Sequence, residues 1–248
     1  MRRLAAFSAS FALGIYLAQY LLPAEHLLPL AAGCFAAACL ALLLPGLWRK
    51  RALLIGTGLA LALGWNWLYG YAVRDPLVGL SGRSGTASMT LLEYAVPTDY
   101  GAKVTVKLEG YPLGKVVYYG GEDLLDLRPG QTVTAQVKFQ DAARLREDTI
   151  TNFTSQGVFL LAYQRGEDAV YGEGSAGSPR WWPARAARAM QDHVAELFDG
   201  DEAAFLSAIL TGDTSGLSEE ARSDLSGAGL SHILAVSGLH VSVVGMFL

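Results

Sequence analysis

The sequence has little charge, almost no cysteine and no excess of positive residues. Asp, Glu, Lys and Arg make up 17% of the 248 residues, whereas hydrophobic residues make up 52%. This composition is typical of a membrane protein rather than of a soluble domain. The net charge of −4 gives no general attraction to nucleic acid. The two cysteines, Cys34 and Cys39, would lie about 140° apart around one helix, so we expect no disulfide between them.

Three apolar runs without charged residues stand near the start of the chain: Leu4 to Leu22, Leu27 to Leu44, and Ala52 to Val73. A helix needs about 20 mostly apolar residues to cross a bilayer. We therefore predict three transmembrane helices within residues 1–74. A cleaved signal peptide is the alternative for the first run, but the Ala24-Glu25-His26 that follows is a poor cleavage site.

Positive residues are placed asymmetrically around these runs. They precede the first run and fill the second connection, at Arg2, Arg3, Arg49, Lys50 and Arg51, whereas the first connection has none. Under the positive-inside rule the N-terminus is cytoplasmic. The region after the third run is then extracytoplasmic.

Residues 75–178 change to short alternating runs separated by Gly, Pro and Asp, a pattern that predicts a small all-β domain. The predicted strands are Thr86 to Val96, Ala102 to Tyr111, Lys115 to Tyr119, Gln131 to Phe139, and Val158 to Gln164. Val104, Val106 and Leu108 would face inward and the intervening residues outward. Five strands in about 100 residues suit an OB-fold-like barrel, although periodicity alone leaves a small sandwich open.

An OB barrel that binds single-stranded DNA combines basic residues with aromatic stacking platforms. Lys103, Lys107 and Tyr118 are the residues that we predict to contact DNA if this domain binds it. However, residues 75–179 contain nine Lys or Arg against thirteen Asp or Glu, a balance that opposes phosphate binding. The alternative is that the tyrosines fill the barrel and the lysines are solvated.

Residues 179–228 predict surface helices after a flexible Gly-Glu-Gly-Ser-Ala-Gly-Ser-Pro linker. The run from Arg180 to Phe198 is amphipathic, which fits either a helix in the headgroup region or a helix packed on protein. Asp201 and Glu202 would open a short helix that breaks at Gly212. Ser218 would cap the next helix.

Residues 229–248 form an apolar run that contains His232, Ser237 and His240. Polar groups are costly in hydrocarbon and usually face a bundle interior or a water path, so we predict that these three residues line a pathway. Structural contacts between helices are an alternative for at least one histidine. Two histidines without a third ligand are weak evidence for a metal site, and no acid orients a Ser–His pair. We predict no catalytic, metal or cofactor site.

The stretch from Ile209 to Val241, ILTGDTSGLSEEARSDLSGAGLSHILAVSGLHV, resembles the ComEC family of competence proteins, which carry transforming DNA into bacteria. The stretch DTITNFTSQGVFLLAY, from Asp148 to Tyr163, is similar to a family segment in which a short helix runs into a Gln-Gly turn and a strand. Many relatives have a cysteine pair in the β-domain, and this sequence has none there.

The resemblance implies an N-terminal fragment of an inner-membrane channel for single-stranded DNA, with an extracytoplasmic OB-fold-like domain. The implied partners are single-stranded DNA, the lipid bilayer, the remaining competence-domain helices and other DNA-uptake proteins. It implies no cofactor, and no enzyme activity in this sequence, since the hydrolase-like domain of many relatives is not in it. The alternative function is a membrane-anchored β-domain that binds a protein or an envelope polymer.

Overall fold

A computed structural model describes residues 3–43, 45–145, 148–149, 151–212, 214 and 216–230. The helices are α1 (Arg3–Tyr20), α2 (Ala24–Leu40), α3 (Gly46–Tyr69), α4 (Asp75–Val78), α5 (Thr151–Ser155), α6 (Trp182–Leu197), α7 (Gly200–Thr211) and α8 (Glu219–Gly227). The strands are β1 (Ser84–Leu91), β2 (Val96–Thr98), β3 (Gly101–Leu108), β4 (Lys115–Gly120), β5 (Thr132–Asp141), β6 (Arg144–Leu145), β7 (Asp148–Thr149) and β8 (Val158–Gly172). The chain divides into two compact units. The helical unit contains the N-terminal helices together with residues 111–114 and 140–160, and the sheet unit contains most of the sheet and the helices that follow it.

The helical unit contains apolar helices of the kind that cross membranes. Within the described part of the chain, two are long and apolar enough, Ala24–Leu43 and Trp48–Val78, whereas the apolar helix Leu4–Tyr20 is shorter. The helix Trp48–Val78 is longer than α3 alone because a π-helical turn, Gly70–Arg74, joins α3 directly to α4. Membrane association is supported by these helices, and the number of spans and their orientation stay predictions.

Small residues let α3 approach α1 and α2 closely. A Cβ added at Gly58 would collide with the Ser10 hydroxyl, and one added at Gly56 would lie 2.8 Å from Ala38 Cβ. Ser10 is itself buried and donates a hydrogen bond to the Phe7 carbonyl at 2.9 Å. Close backbone approach at small residues is the usual basis of helix packing in lipid. Cys34 and Cys39 are both free thiols.

The substitution Gly58→Ala should therefore loosen the contact between α1 and α3. The added methyl group overpacks the contact, and we expect a loss of about 1–3 kcal/mol in the free energy of unfolding. Gly33→Ala in α2 is the matched control, because nothing lies within 4 Å of its added Cβ. Unfolding of both variants in detergent is monitored by the helical circular dichroism signal. Equal unfolding curves for the two variants would contradict this packing.

The sheet unit is a closed five-stranded barrel with one extra edge strand. Its strands lie in the order β1-β5-β8-β4-β3-β2, and an additional pairing joins β1 to β3 and closes the barrel. The five barrel strands are, in chain order, β1, β3, β4, β5 and β8. Around the barrel they follow the order β1-β5-β8-β4-β3, and β3 pairs again with β1. This closed arrangement is consistent with the predicted OB-fold-like barrel.

The alternating pattern of β3 is confirmed. Val104, Val106 and Leu108 are 2%, 0% and 6% exposed and face the core, whereas Lys103 is exposed on the other side. The antiparallel register opposes Val104 to Tyr118 and Val106 to Val116 in β4. Inward residues of β1, β5 and β8 complete a dry core: Met89, Leu91, Val133, Val137, Leu160 and Ala162.

The strand boundaries differ most from the predicted ones in the first and last predicted strands. The predicted first strand is two elements, because Leu92 leaves the β1–β5 pairing and Val96–Thr98 pairs separately with β3. The edge position of β2 explains how Pro97 is accepted in a strand. The last strand continues eight residues beyond Gln164, passing through Gly166, whose φ is +79°.

The segment before β8 has the predicted order of elements. Helix α5 ends at Ser155, Gly157 adopts a positive φ of 76°, and the strand starts at Val158. Glycine is favoured at this position because a side chain is strained at positive φ. The helix, Gln-Gly turn and strand are therefore confirmed.

The predicted linker after β8 is hydrogen-bonded rather than free of contacts. Ser175 N–H donates to the Gly130 carbonyl at 2.8 Å, and Trp181, 8% exposed, donates through Nε1 to the Ser175 hydroxyl at 3.3 Å. A Cβ added at Gly130 would collide with the Trp181 ring. The indole of Trp181 thus fixes this segment to the turn that precedes β5.

The amphipathic helix α6 leaves part of its apolar face exposed. Val194 is buried, but Trp182 and Leu197 are 63% and 64% exposed. On the opposite side, the Arg188 guanidinium lies 5.6 Å from the centre of the Tyr94 ring. Contact with protein is therefore shown on one side of α6, and membrane contact through the exposed side stays a prediction.

Candidate functional site

One pocket of the sheet unit is lined by four tyrosines, and we call it the tyrosine pocket. Its rings are Tyr100, Tyr119, Tyr163 and Tyr171, and its volume is about 700 Å³. The lining residues come from β3, β4 and β8, from the end of β2 and the segment that leads into β3, and from the 3-10 helix Glu122–Asp126 that follows β4. Ligand pockets commonly occupy roughly 300–1,000 Å³, so the tyrosine pocket has room for a small molecule or for part of a polymer.

Two of the rings form a stacked platform. The ring centres of Tyr119 and Tyr163 are 4.9 Å apart, and their planes differ by 12°. Tyr119 is opposite Lys103 in the register, on the outer side of the barrel. Tyr100 extends almost entirely into solvent, with 98% of its surface exposed. Tyr100 is therefore accessible from outside the barrel, whereas Tyr119 and Tyr163 are half-buried.

Neighbouring Tyr118 faces the other way, because successive side chains of a strand alternate between faces. It is fully buried, and its hydroxyl donates a hydrogen bond to Gln164 Oε1 at 2.7 Å. Burial raises the pKa of Tyr118 above its ordinary range, and the charge of a deprotonated Tyr171 would raise it further. Gln164 Nε2 donates to the Gly166 carbonyl at 3.2 Å. Tyr118 thus positions a polar residue of the pocket from behind.

The polar groups of the tyrosine pocket are acidic or neutral. Its lining includes Asp99 and Asp123 and, among the residues that the structure describes, no lysine or arginine. Burial raises the pKa of Tyr171, and the adjacent Asp123 carboxylate, which accepts a hydrogen bond from the Tyr171 hydroxyl, raises it further. Burial, followed by the charge of a deprotonated Tyr163, also raises the pKa of Tyr119. Tyr119 and Tyr171 therefore stay neutral at physiological pH.

The residues predicted to contact DNA are separated by the fold. Lys103 is exposed and Lys107 is half-buried, both on the outward side of β3, whereas Tyr118 lies in the core. The prediction that Tyr118 contacts DNA is wrong, because its ring is buried in the core. The structure instead agrees with the alternative that this tyrosine fills the barrel. Contact of the two lysines with DNA stays a prediction. His232, Ser237 and His240 lie outside the described residues.

Sequence reasoning missed the Tyr119–Tyr163 platform and the participation of Tyr171. The available signal was the alternation of β4: if Val116 faces the core, then Tyr118 does too, and Tyr119 faces outward. The stacking partner came from β8, which pairs with β4 in the sheet but is 44 residues away along the chain. No local pattern reports such a contact.

Helices α7 and α8 are joined at the start of the region that resembles the competence family. As predicted, Gly212 ends α7 with a φ of +79°, and the Ser218 hydroxyl caps α8 by accepting from the Ala221 N–H at 3.1 Å. Asp201 connects the two helices, accepting hydrogen bonds from the Ser218 N–H and hydroxyl at 3.2 and 2.9 Å. Arg222 donates to the Thr214 carbonyl at 2.8 Å and closes the turn between them.

Within the described ranges, no group of three or more His, Cys, Asp or Glu side chains is placed to hold a metal ion.

Comparison with known proteins links one part of the chain to a family. Residues 209–248 match the family model described as Competence protein, consistent with a fragment of a ComEC-like competence protein. No curated protein matches the chain. No solved structure matches it either. The match includes α8 and its cap and the segment with His232, Ser237 and His240, and it suggests involvement in competence and DNA uptake.

Proposed function

We propose that this protein forms the N-terminal, membrane-anchored part of a channel through which one strand of transforming DNA enters a bacterial cell. The observation that carries the proposal is the match of residues 209–248 to the Competence protein family. The two long apolar helices of the helical unit support anchoring in the inner membrane. The role of each residue in transport is inferred from the charge and the hydrogen-bonding groups of its side chain.

The segment with His232, Ser237 and His240 provides the pathway in this proposal. His232 and His240 are eight residues apart, which places them about 80° apart around a helix, within one polar sector. Ionisable side chains in a spanning helix usually mark a route for a polar substrate. Their task is to offer neutral or positive contacts to a polyanion, with the remaining competence-domain helices enclosing the route.

The barrel has the accessory task of receiving the strand outside the cytoplasm. Lys103 and Lys107 extend from the outward side of β3, where phosphate contacts would be electrostatic and weakened by salt. The same protein would meet other DNA-uptake proteins at the outer surface of the membrane.

Replacing His232 and His240 together by alanine in the source bacterium should lower DNA import. We expect transformation to fall at least about tenfold, the effect of a barrier raised by about 1.4 kcal/mol. Internalised DNA is measured as labelled strand that resists added nuclease. His193→Ala is the matched control, because His193 is exposed on α6 and pairs with Glu196 at 3.3 Å.

Deletion of the whole gene should abolish import in the same assay. Unchanged import after deletion would contradict the competence assignment. Normal import by the double histidine variant, at a membrane level equal to that of the wild type, would contradict only the pathway assigned to the two histidines. The DNA-contact assignment is tested separately by Lys103→Glu and Lys107→Glu.

A further inference from the structure

We propose that the tyrosine pocket is a carbohydrate-binding site that takes an uncharged glycan of the cell envelope. OB-fold barrels use the surface around their second and third strands, with the loop between the first two, to bind either oligonucleotides or oligosaccharides. In this barrel those strands are β3 and β4, and the loop leads through Tyr100 into β3. The pocket therefore lies where either class of polymer binds.

The charge of the lining favours the glycan. A site for single-stranded DNA needs basic residues along the backbone. Among the described residues, the tyrosine pocket has Asp99 and Asp123 and no cation, and neither aspartate has a salt-bridge partner. Two carboxylates without counter-charges repel phosphate. They accept hydrogen bonds well from neutral hydroxyl and amide donors, which sugars supply in abundance.

The rings supply the apolar contact that a sugar needs. The face of a pyranose ring that carries C–H groups packs on a flat aromatic surface, and tyrosine combines such a surface with a polar hydroxyl. Tyr119 and Tyr163 are stacked on each other, so each can offer a sugar only the ring face that the other leaves free, and the exposed Tyr100 lines the same pocket. Gln164, held by Tyr118, completes the hydrogen-bonding groups. A glycan site here would hold the domain near the cell wall, independently of whether the protein imports DNA.

Binding is tested with the full chain in nanodiscs, because common maltoside and glucoside detergents are themselves sugars. The probes are a tetramer of N-acetylglucosamine, a tetramer of glucose and a dT oligonucleotide, with heat of binding as the readout. We expect the wild type to bind at least one of the two glycans, with little dependence on salt concentration. Tyr100→Ala and Tyr163→Ala should weaken that binding about tenfold or more, whereas Tyr111→Ala, outside the pocket, should not.

The variant Asp99→Asn, Asp123→Asn separates the two ligand classes by the sign of its effect. Loss of the carboxylates should weaken glycan binding about tenfold, since charge-assisted hydrogen bonds are lost. The same change should strengthen binding of the oligonucleotide, since repulsion of phosphate is removed. The proposal is overturned if neither glycan binds, if Tyr100→Ala binds as well as the wild type, or if the oligonucleotide binds more tightly than both glycans. Because Tyr100 is 98% exposed, its removal leaves the core unchanged, and a folding defect does not confuse this result.

Discussion

Val106→Asp should unfold the barrel. Val106 is fully buried and pairs with Val116 and Leu91, residues that are also without exposed surface. An aspartate at this position would be an unpaired charge in a dry core, a change that costs more than about 4 kcal/mol. Since domains are stable by only about 5–15 kcal/mol, we expect most of the β-sheet circular dichroism to be lost at 37 °C.

The matched control for this variant lies on the opposite side of the same strand. Lys103→Asp introduces the same side chain at an exposed position of β3, where its effect should stay within about 0.5 kcal/mol. Comparable unfolding of both variants would show that strand propensity rather than the inward direction of Val106 decides stability. A native sheet signal in Val106→Asp would contradict the closed barrel itself.

Tyr118→Ala should cost about 3–5 kcal/mol, since it removes a large side chain from a fully buried site. Tyr118→Phe keeps the ring and loses only the hydrogen bond to Gln164, which should cost about 1 kcal/mol. Tyr119→Ala is the control on the outer face, and loss of its stacking with Tyr163 should cost about 0.5–1.5 kcal/mol. Chemical denaturation of the full chain measures all three.

The pH dependence of Tyr118→Phe provides a separate check. Folding raises the pKa of Tyr118, so its contribution to stability is complete below the ordinary tyrosine pKa and is lost as the pH rises beyond it. The wild type should therefore lose more stability than Tyr118→Phe when the pH rises above about 10. The slope is reduced rather than removed in the variant, because Tyr119 and Tyr171 also have raised pKa values. Parallel curves for the two proteins would contradict the burial of the hydroxyl.

The elements that depend on local chemistry were predictable from the sequence. The inward face of β3 follows from simple alternation, and the Ser218 cap and the Gly212 stop follow from the backbone groups that helix ends leave unpaired. The helix, turn and strand around Gly157 follow from the need for glycine at positive φ. Each of these features depends only on residues that are close to it in the sequence.

The features that local patterns could not settle depend on contacts across long stretches of chain. Closure of the barrel requires β1 to pair with both β3 and β5, and sequence periodicity could not distinguish this from a sandwich. Tyr118 and Tyr119 are adjacent identical residues, so only the register with β3 shows which ring is outside. Similarly, Trp181 rather than Trp182 is buried, because Gly130 leaves space for its indole.

The proposed route of DNA requires the barrel to lie outside the cytoplasm, and cysteine labelling of membrane vesicles tests this location most directly. A Tyr100→Cys variant, in a background of Cys34→Ala and Cys39→Ala, carries one thiol at a position that was 98% exposed as tyrosine. An impermeant maleimide should label it in right-side-out vesicles and leave it unlabelled in sealed inside-out vesicles. Lys50→Cys, in the connection predicted to be cytoplasmic, should show the opposite pattern. Labelling of Tyr100→Cys only from the cytoplasmic side would contradict the account, since the barrel could not then receive DNA from outside.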